Sequence, residues 1–240
     1  MDVLYALLRH VLPAKSCSVS LYPYVVFAES IRPGLATNVA AGTAAARADA
    51  AAYNGCAVMD IAQMVLRTPG IETAIGMAAL NSALDITPIE NRLRNVNAFE
   101  ILLQRGKNKN ISIIGHFPFV EHLQQKKIAR NLWVFELRPK SDDDLSPENF
   151  PEYLPKSDVI LMSGTTLIHH TFDTIRKYFN NSYTMLVGPS TPLSSVLFDF
   201  GIDMISGTLV ADTEKARESF SRGAKFREAQ GLRFVSLLKE

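Results

Sequence analysis

The chain has 240 residues, with 25 basic and 24 acidic side chains and a formal net charge of +1. A chain of this length forms either one large domain or two small ones. Because 47% of the residues are hydrophobic and only 20% are charged, a disordered chain is excluded and a globular core is expected. The balanced charge argues against a nucleic-acid partner.

Neither the cysteines nor the N-terminus indicates a secreted or membrane-bound protein. Cys17 and Cys56 are too few for a zinc-binding thiolate cluster or a disulfide framework. Residues 1–10 lack the basic start of a signal peptide, and their apolar positions follow a helical pattern. No apolar run approaches the roughly 18 residues that a membrane span needs. We therefore expect a cytoplasmic protein without a membrane partner, and a homo-oligomer is left open.

Residues 1–95 predict strands followed by helices, the order typical of a small α+β domain. Runs rich in Val, Tyr and Phe with short connections favour an antiparallel meander. The alanine-rich residues 44–52 leave their secondary structure ambiguous. The predicted strands span residues 17–20, 24–29 and 35–40, and the predicted helices span residues 56–67 and 71–84.

Residues 96–240 predict a Rossmann-like α/β domain. Continuous apolar strands alternate there with amphipathic helices, which is typical of a mainly parallel sheet with helices on both faces. Residues 138–157 contain four prolines and no convincing helix, so we expect a lid, an interdomain contact or a solvated crossover. The predicted strands span residues 111–114, 132–136, 159–162, 184–187, 203–205 and 232–238. The predicted helices span residues 97–105, 120–129, 171–179, 193–200 and 212–221.

Three predicted strand exits carry glycine together with hydroxyl side chains. A glycine lets the backbone approach a ligand, and hydroxyls and free amides at a helix N-terminus bind anionic groups. Each exit alone also fits an ordinary turn with a helix cap. Because all three exits fall at one edge of the sheet, where open α/β sheets bind ligands, we predict a ligand site there. With the exit of the first strand included, the predicted contacts are Gly115, Gly164, Thr165, Thr166, Gly188, Pro189, Ser190, Thr191 and Gly207.

His116 and Glu136 are the candidates for acid–base chemistry, and therefore for a catalytic role, at this edge. His116 follows Gly115 directly, and an imidazole titrates near neutral pH. Glu136 ends the second strand of this domain, about 20 residues after Gly115, where an acid binds the ribose in nucleotide-binding folds. An ion pair with Arg138 is an equally good account of Glu136. The exit of the first strand lacks the spaced glycines of a dinucleotide-binding loop, which disfavours a dinucleotide cofactor.

The cofactor is left open, and the histidines suggest a divalent metal. Imidazoles bind such metals, and His116 would meet His169 or His170 if the first and third strands of this domain were neighbours, as in a 2-1-3-4-5 strand order. Adjacent helical residues point about 100° apart, so His169 and His170 are not expected to bind one ion together. A structural or solvent-exposed role is the competing interpretation.

Asn81 is a polar residue in the otherwise apolar predicted helix over residues 71–84. A buried amide must find a hydrogen-bond partner. We therefore expect Asn81 either to cap a helix or to lie at the domain interface, and we include it among the ligand-binding candidates.

Several segments occur together in the order typical of one known family. Given them, the chain resembles the heavy-metal-chelation family, a domain of unknown function, over nearly its whole length. The most specific segment is Gly188-Pro189-Ser190-Thr191-Pro192-Leu193. The other segments are Gly115-His116-Phe117-Pro118, Ser163-Gly164-Thr165-Thr166-Leu167-Ile168, Gly201-Ile202-Asp203 with Ser206-Gly207, and, for the companion domain, Gly76-Met77-Ala78-Ala79-Leu80-Asn81-Ser82-Ala83.

The resemblance implies an enolase-N-terminal-like domain over residues 1–95, a Rossmann-like domain over residues 96–240, and a site in the cleft between them. It also implies a role in making, modifying or handling a small chelating compound. The chain departs from the family pattern at His169-His170, where we expect an Asn followed by a small residue, so no family role transfers to that position.

We therefore expect a binding protein or enzyme that acts on a small anionic metabolite or chelator precursor in the interdomain cleft. Whether the protein is an enzyme stays open. One alternative is a histidine-based metal-binding or metal-delivery protein. Another is a nucleotide- or S-adenosylmethionine-dependent transferase, which rests on Glu136 and the fold alone.

Overall fold

The computed structural model of the chain describes residues 2–43, 50–115, 117–137, 141 and 143–240. In its first part, strands β1, β2 and β3 form an antiparallel sheet in that order, which confirms the predicted meander. Every helix within the described residues is too short or too polar to span a bilayer. The elements of this part are α1 (Val3–Leu8), β1 (Ser18–Leu21), β2 (Val25–Glu29), β3 (Pro33–Thr37), α2 (Val58–Ala62) and α3 (Ile71–Ala83).

Strand β3 begins earlier than the sequence predicts. The predicted strand over residues 35–40 leaves out Pro33 and Gly34, which read as a turn but belong to β3. Because β3 lies at the edge of its sheet, Pro33 is tolerated there. Gly34 packs so closely on α3 that a Cβ atom at this position would lie 2.3 Å from the Ser82 backbone nitrogen. Gly34 therefore allows β3 to pack closely against α3 and does not form a turn.

The rest of this part is less regular than predicted. The helix predicted over residues 56–67 divides into α2 and a short 3-10 helix (Gln63–Leu66). Of the alanine-rich stretch, residues 44–49 lie outside the described residues, and a 3-10 helix (Ala50–Tyr53) begins within the remainder.

The second part forms a six-stranded sheet of order β5-β4-β6-β7-β8-β9, with helices on both faces. The first five of these strands are parallel, and β9 is antiparallel to β8. This confirms the Rossmann-like mixed α/β fold and makes β4 and β6 neighbours. The elements are α4 (Ala98–Gly106), β4 (Asn110–Ile114), α5 (Val120–Lys126), β5 (Asn131–Phe135), α6 (Phe150–Tyr153), β6 (Val159–Ser163), α7 (Thr165–Ile168), α8 (Phe172–Ile175), β7 (Tyr183–Val187), β8 (Met204–Val210), α9 (Thr213–Ser221) and β9 (Leu232–Leu238).

Successive residues of the central strands bury opposite faces of this sheet, as the pleat of a strand requires. In β6, Leu161 packs into a cluster with residues of α4 and α5, such as Leu102. Met162 packs on the other face, in a cluster that also contains Leu80 of α3. Since this cluster joins both halves of the chain, the division into domains at residues 95 and 96 stays a prediction.

Two predicted helices of the second part are less regular than expected: residues 171–179 divide into α8 and a 3-10 helix (Arg176–Tyr178), and residues 193–200 contain a 3-10 helix (Ser195–Phe200). Two other predictions are wrong. Residues 138–157 do contain helices, three short ones from residue 147 to residue 156, each with a proline in its first turn, where proline needs no backbone hydrogen bond. The strand predicted over residues 203–205 extends to Val210, because β9 pairs with β8 along its whole length. Ser206, Gly207 and Thr208 therefore lie within a strand and not at its exit.

The two cysteines, far apart in the sequence, lie on facing segments. The Cys17 amide donates to the Cys56 carbonyl at 2.9 Å, and the Gly55 amide donates to the Cys17 carbonyl at 2.9 Å. Cys17 is 1% exposed. Burial raises the pKa of its thiol from 9.0 to about 11, and Cys56 contributes a smaller upward effect.

This shift predicts a loss of stability at high pH. In the unfolded chain the Cys17 thiol ionises first, so rising pH stabilises the unfolded state. The contribution of the neutral buried thiol is complete below pH 9 and is lost as the pH rises to about 11. We expect wild type to lose about 2 kcal/mol more than Cys17→Ala over this range in urea unfolding. Parallel pH profiles for the two proteins would contradict the expectation.

Candidate functional site

A cavity of about 430 Å³ opens at the carboxyl ends of β4, β5 and β6. Because the chain leaves β4 toward β5 on one side while β6 lies on the other, this is the switch point at which open α/β sheets bind ligands. Its volume is that of a typical small-molecule site. The lining residues are Thr37, Val39, Ile114, Gly115, Phe135, Glu136, Leu137, Pro147, Phe150, Thr165, Thr166, His169 and Thr171.

Gly115 shapes the floor of the cavity where β4 ends. Its φ of 101° is a conformation that other residues rarely adopt. A Cβ atom at this position would lie 3.0 Å from the Ser163 side chain, so the glycine also permits a close approach. Its amide donates to the Phe135 carbonyl at 2.9 Å. The turn after β4 is therefore fixed by contacts with both neighbouring strands.

Ser163 orders the hydroxyl groups that follow β6. Its Oγ accepts from the Thr165 amide at 3.2 Å and from the Thr165 hydroxyl at 2.8 Å. The Thr166 hydroxyl donates to the Ser163 carbonyl at 2.8 Å, and the Thr171 hydroxyl donates to the Thr166 carbonyl at 3.4 Å. These three threonine hydroxyls therefore donate their hydrogen bonds within the protein. They can offer a ligand only their oxygen atoms as acceptors.

Glu136 and His169 are the ionisable groups among the described lining residues. Glu136 follows β5 and is held through its backbone, because its amide donates to the Leu145 carbonyl at 3.0 Å. His116, the other candidate for acid–base chemistry and metal binding, lies outside the described residues.

His169 and His170 lie in different surroundings. His169 lines the cavity. His170 has a left-handed backbone, with a φ of 56°, and its Nε2 lies 2.7 Å from the Val65 carbonyl. The two imidazoles are therefore not ligands of one site, and the histidine pair does not act as a unit.

Residues 188–191, the predicted exit that follows β7, contact other segments of the chain and do not line the cavity. Ser190 Oγ accepts from the Thr37 amide at 2.8 Å and donates to the Thr37 hydroxyl at 3.1 Å. A Cβ atom on Gly164 would lie 2.6 Å from Thr191 Oγ1, so this glycine admits a neighbouring chain segment. Ser190 therefore supports the cavity indirectly, by holding Thr37 in its wall.

The prediction that all four glycine-bearing strand exits meet at one ligand site is therefore wrong in part. The exits at Gly115 and at Thr165 both line the cavity. Gly207 lies in β8, where a Cβ atom would be 2.9 Å from the Leu193 side chain. The predicted residues that do not line the cavity are Asn81, Gly164, His170, Gly188, Pro189, Ser190, Thr191 and Gly207.

Asn81 lies at the boundary between the two sheets. Its Nδ2 donates to the Leu35 carbonyl of β3 at 2.9 Å. It shares a crevice of about 20 Å³ with Thr191. Asn81 Oδ1 and Thr191 Oγ1 are both buried, and no described residue gives either a hydrogen-bond partner. Asn81 therefore bridges α3 and β3 beside Thr191 and does not cap a helix, and its place at a domain interface stays a prediction.

Most of the other lining residues carry no distinguishing pattern in the sequence. Thr37 ends a strand, which is a weak signal, and Thr171 follows the histidine pair. The remaining ones are apolar and look like ordinary core or loop residues: Val39, Ile114, Phe135, Leu137, Pro147 and Phe150. Pro147 and Phe150 belong to the proline-rich segment for which a lid or an interdomain contact was one expectation.

The described residues do not form a metal cage of their own. Within them, no three His, Cys, Asp or Glu side chains come close enough together to hold an ion. Among the lining residues that the structure describes, Glu136 and His169 are the two that carry an ionisable side chain for a metal. A metal bound there would need donors beyond these two side chains.

Comparisons with known proteins agree with this fold. An uncharacterized protein of Methanocaldococcus jannaschii is 31% identical over 150 residues, which are 61% of this chain and 58% of that relative's length. A DUF364 protein of unknown function from Desulfitobacterium hafniense matches 99% of this chain and 98% of its own, with a TM-score of 0.85 and 22% identity. One from Pyrococcus horikoshii matches the same shares, with a TM-score of 0.76 and 18% identity.

At these identities the two solved structures show the fold alone. The family model described as "Putative heavy-metal chelation" matches residues 97–238, which is more than half of the chain. The chain therefore belongs to the DUF364 family.

Proposed function

We propose that the cavity between β4, β5 and β6 binds a small chelating compound together with its divalent metal. The observation that carries the proposal is the chemistry of the lining, in which one carboxylate and one imidazole stand among threonine oxygens. The family description points to the same chemistry. We take the function to be cytoplasmic, with residues 1–95 and 96–240 as two domains on either side of the ligand.

The hydrogen bonds of the lining favour a ligand that brings positive charge or hydrogen-bond donors. Thr165, Thr166 and Thr171 have already donated their hydroxyl hydrogens within the protein. The Glu136 side chain can only accept when ionised. A bare anion would gain few donors from these groups, whereas a metal chelate presents a cation to oxygen and nitrogen ligands.

The ligand set also limits which metal fits. Glu136 and His169 supply oxygen and nitrogen, which suit Zn²⁺, Ni²⁺, Co²⁺ and Fe²⁺. Cys17 and Cys56 do not line the cavity, so no thiolate favours a soft ion there. Since these two side chains alone do not complete a coordination sphere, we propose that the chelating compound supplies further donors. We therefore expect the metal and the chelator to bind together.

A thermal-shift experiment tests this cooperation. We expect Ni²⁺ with citrate to raise Tm by more than the sum of the shifts from each alone, because only the complex fills the site. Glu136→Gln and His169→Gln should each weaken the apparent affinity at least tenfold. His10→Gln, an exposed histidine outside this cavity, is the matched control.

Two outcomes would overturn the proposal. If Ni²⁺ alone gave the full shift, the histidine-based metal-binding alternative would replace it. If citrate alone gave the full shift, the cavity would be a site for an anionic metabolite. Replacing Ni²⁺ with Co²⁺, Zn²⁺ or Fe²⁺ then ranks the metals within whichever function holds.

The position of Glu136 favours one second candidate, a nucleotide- or S-adenosylmethionine-dependent transferase. Glu136 lines the cavity at the carboxyl end of β5, beside the exit of β4. An acid at this place binds the ribose in nucleotide-binding Rossmann folds. Stabilisation by S-adenosylmethionine or AMP, with no response to Ni²⁺ and citrate, would support this candidate over the first.

A further inference from the structure

We propose that a second cleft, which we call the aromatic cleft, binds a planar aromatic molecule that carries a negative charge. The cleft has a volume of about 380 Å³, which is within the range of small-molecule sites. It is distinct from the cavity at β4, β5 and β6, with which it shares no lining residue. The lining residues of the aromatic cleft are Asn97, Phe99, Phe119, His122, Arg227 and Phe234.

The aromatic cleft belongs to the opposite face of the six-stranded sheet. Phe119 and Phe99 pack with the core that α4 and α5 bury against this face. Ile114 and Phe135 of the first cavity pack with the core on the other face. The inference therefore stands independently of the proposed function.

Aromatic rings form one wall of the aromatic cleft, and one of them, Phe119, packs on Phe117 outside the lining. Phe117 and Phe119 are stacked, with ring centroids 5.1 Å apart and planes at 16°. Phe99 continues the wall at 4.8 Å from Phe119, and the His122 ring meets Phe99 edge-on at 5.8 Å. Aromatic rings bind other planar rings by offset stacking or edge contacts. A flat ligand is therefore the shape that this wall fits.

Phe234 is unusually exposed for a phenylalanine. It lies in β9 and is 47% exposed, although it lines the same cleft as the stacked rings. A large apolar side chain left in water beside other aromatic rings is typical of a binding surface. A flat ligand would cover the Phe234 ring.

The polar groups at the aromatic cleft determine the charge of the ligand. Among the described residues, the lining contains Arg227 and His122 but no Asp or Glu. The Arg227 guanidinium lies 6.0 Å from the Phe119 ring centroid, and no acidic side chain of the described residues pairs with it. The Asn97 Oδ1 accepts from the Phe99 amide at 2.9 Å, which leaves its NH2 group able to donate. These groups fit a carboxylate, sulfonate or phosphate on the ring.

Two fluorescent probes that differ by one charged group test the inference. The anionic probe is 8-anilinonaphthalene-1-sulfonate, and the neutral probe is N-phenyl-1-naphthylamine, which lacks the sulfonate. We expect one molecule of the anionic probe per chain, bound at least tenfold more tightly than the neutral one. Arg227→Ala should weaken the anionic probe at least fivefold and leave the neutral probe within twofold. Phe234→Ala should weaken both probes.

Arg233→Ala is the matched control, because neighbouring strand residues point to opposite faces and Arg233 is also exposed. It should bind both probes as wild type does. Unchanged affinity for the anionic probe in Arg227→Ala and Phe234→Ala would overturn the inference. So would equal affinity of wild type for the two probes, or loss of binding only when Thr165→Val alters the other cavity. Arg227 and Phe234 are both exposed, so these variants are expected to fold.

Discussion

Gly34→Ala is expected to lower the free energy of unfolding by about 3 kcal/mol. The added Cβ atom would lie 2.3 Å from the Ser82 nitrogen and 2.4 Å from the Ala78 carbonyl oxygen. Both are backbone atoms of α3, so relief requires the helix and β3 to move apart. That movement would disturb the buried core that α3 shares with both sheets.

Thermal and urea unfolding measure this effect. For a chain of this size, such a loss corresponds to a fall in Tm of about 6–12 °C. Gly70→Ala is the matched control, because its Cβ atom would meet only the Thr68 carbonyl oxygen, at 3.9 Å. We expect the control to stay within about 1 kcal/mol of wild type. Equal stability of the two variants would show that α3 and β3 are less tightly packed than described.

Gly164→Ala is expected to reduce both stability and ligand affinity. Its Cβ atom would lie 2.6 Å from Thr191 Oγ1 and 2.7 Å from the Thr191 nitrogen. The segment after β7 would have to shift, at a cost of about 2–3 kcal/mol. Because Ser190 in that segment holds Thr37, the wall of the cavity would shift with it.

The stabilisation by Ni²⁺ with citrate, measured beside Tm, separates two roles for Gly164. Ser190→Ala is the milder companion, since it removes only the hydrogen bonds to Thr37 and should cost about 1 kcal/mol. If Gly164→Ala kept its Tm but lost binding, the glycine would contact the ligand directly, as the sequence alone predicts. Loss of both indicates that Gly164 supports the cavity through the packing of its own chain.

The sheet could be predicted because its strands carry their own signals. Residues 232–238 form β9 with the predicted bounds, and the apolar run over residues 159–162 lies within β6. The extent of β8 could not be predicted, because pairing with β9 sets it and the sequence of β8 alone does not. Gly34 misled the prediction of β3 for the same reason, since its partner is α3 and lies far along the chain.

The candidate site could be predicted only where the strand order decides it. Gly115 and Thr165 line one cavity because β4 and β6 are neighbours, as the 2-1-3-4-5 order requires. Ser190 has the same local pattern but bonds to Thr37. A hydroxyl after a strand does not reveal whether its partner is a ligand or another segment of the chain. The apolar residues of the cavity, such as Phe150, have no distinguishing pattern at all.

The core that joins both halves also constrains how this fold can be recombined. Leu80 of α3 and Leu186 of β7 belong to one cluster, although the first lies in the meander half and the second in the parallel sheet. A Rossmann-like half taken from another protein would have to reproduce the shape of that shared apolar surface to accept α3. Exchanging one half alone is therefore expected to leave unmatched apolar surface on both sides of the shared core.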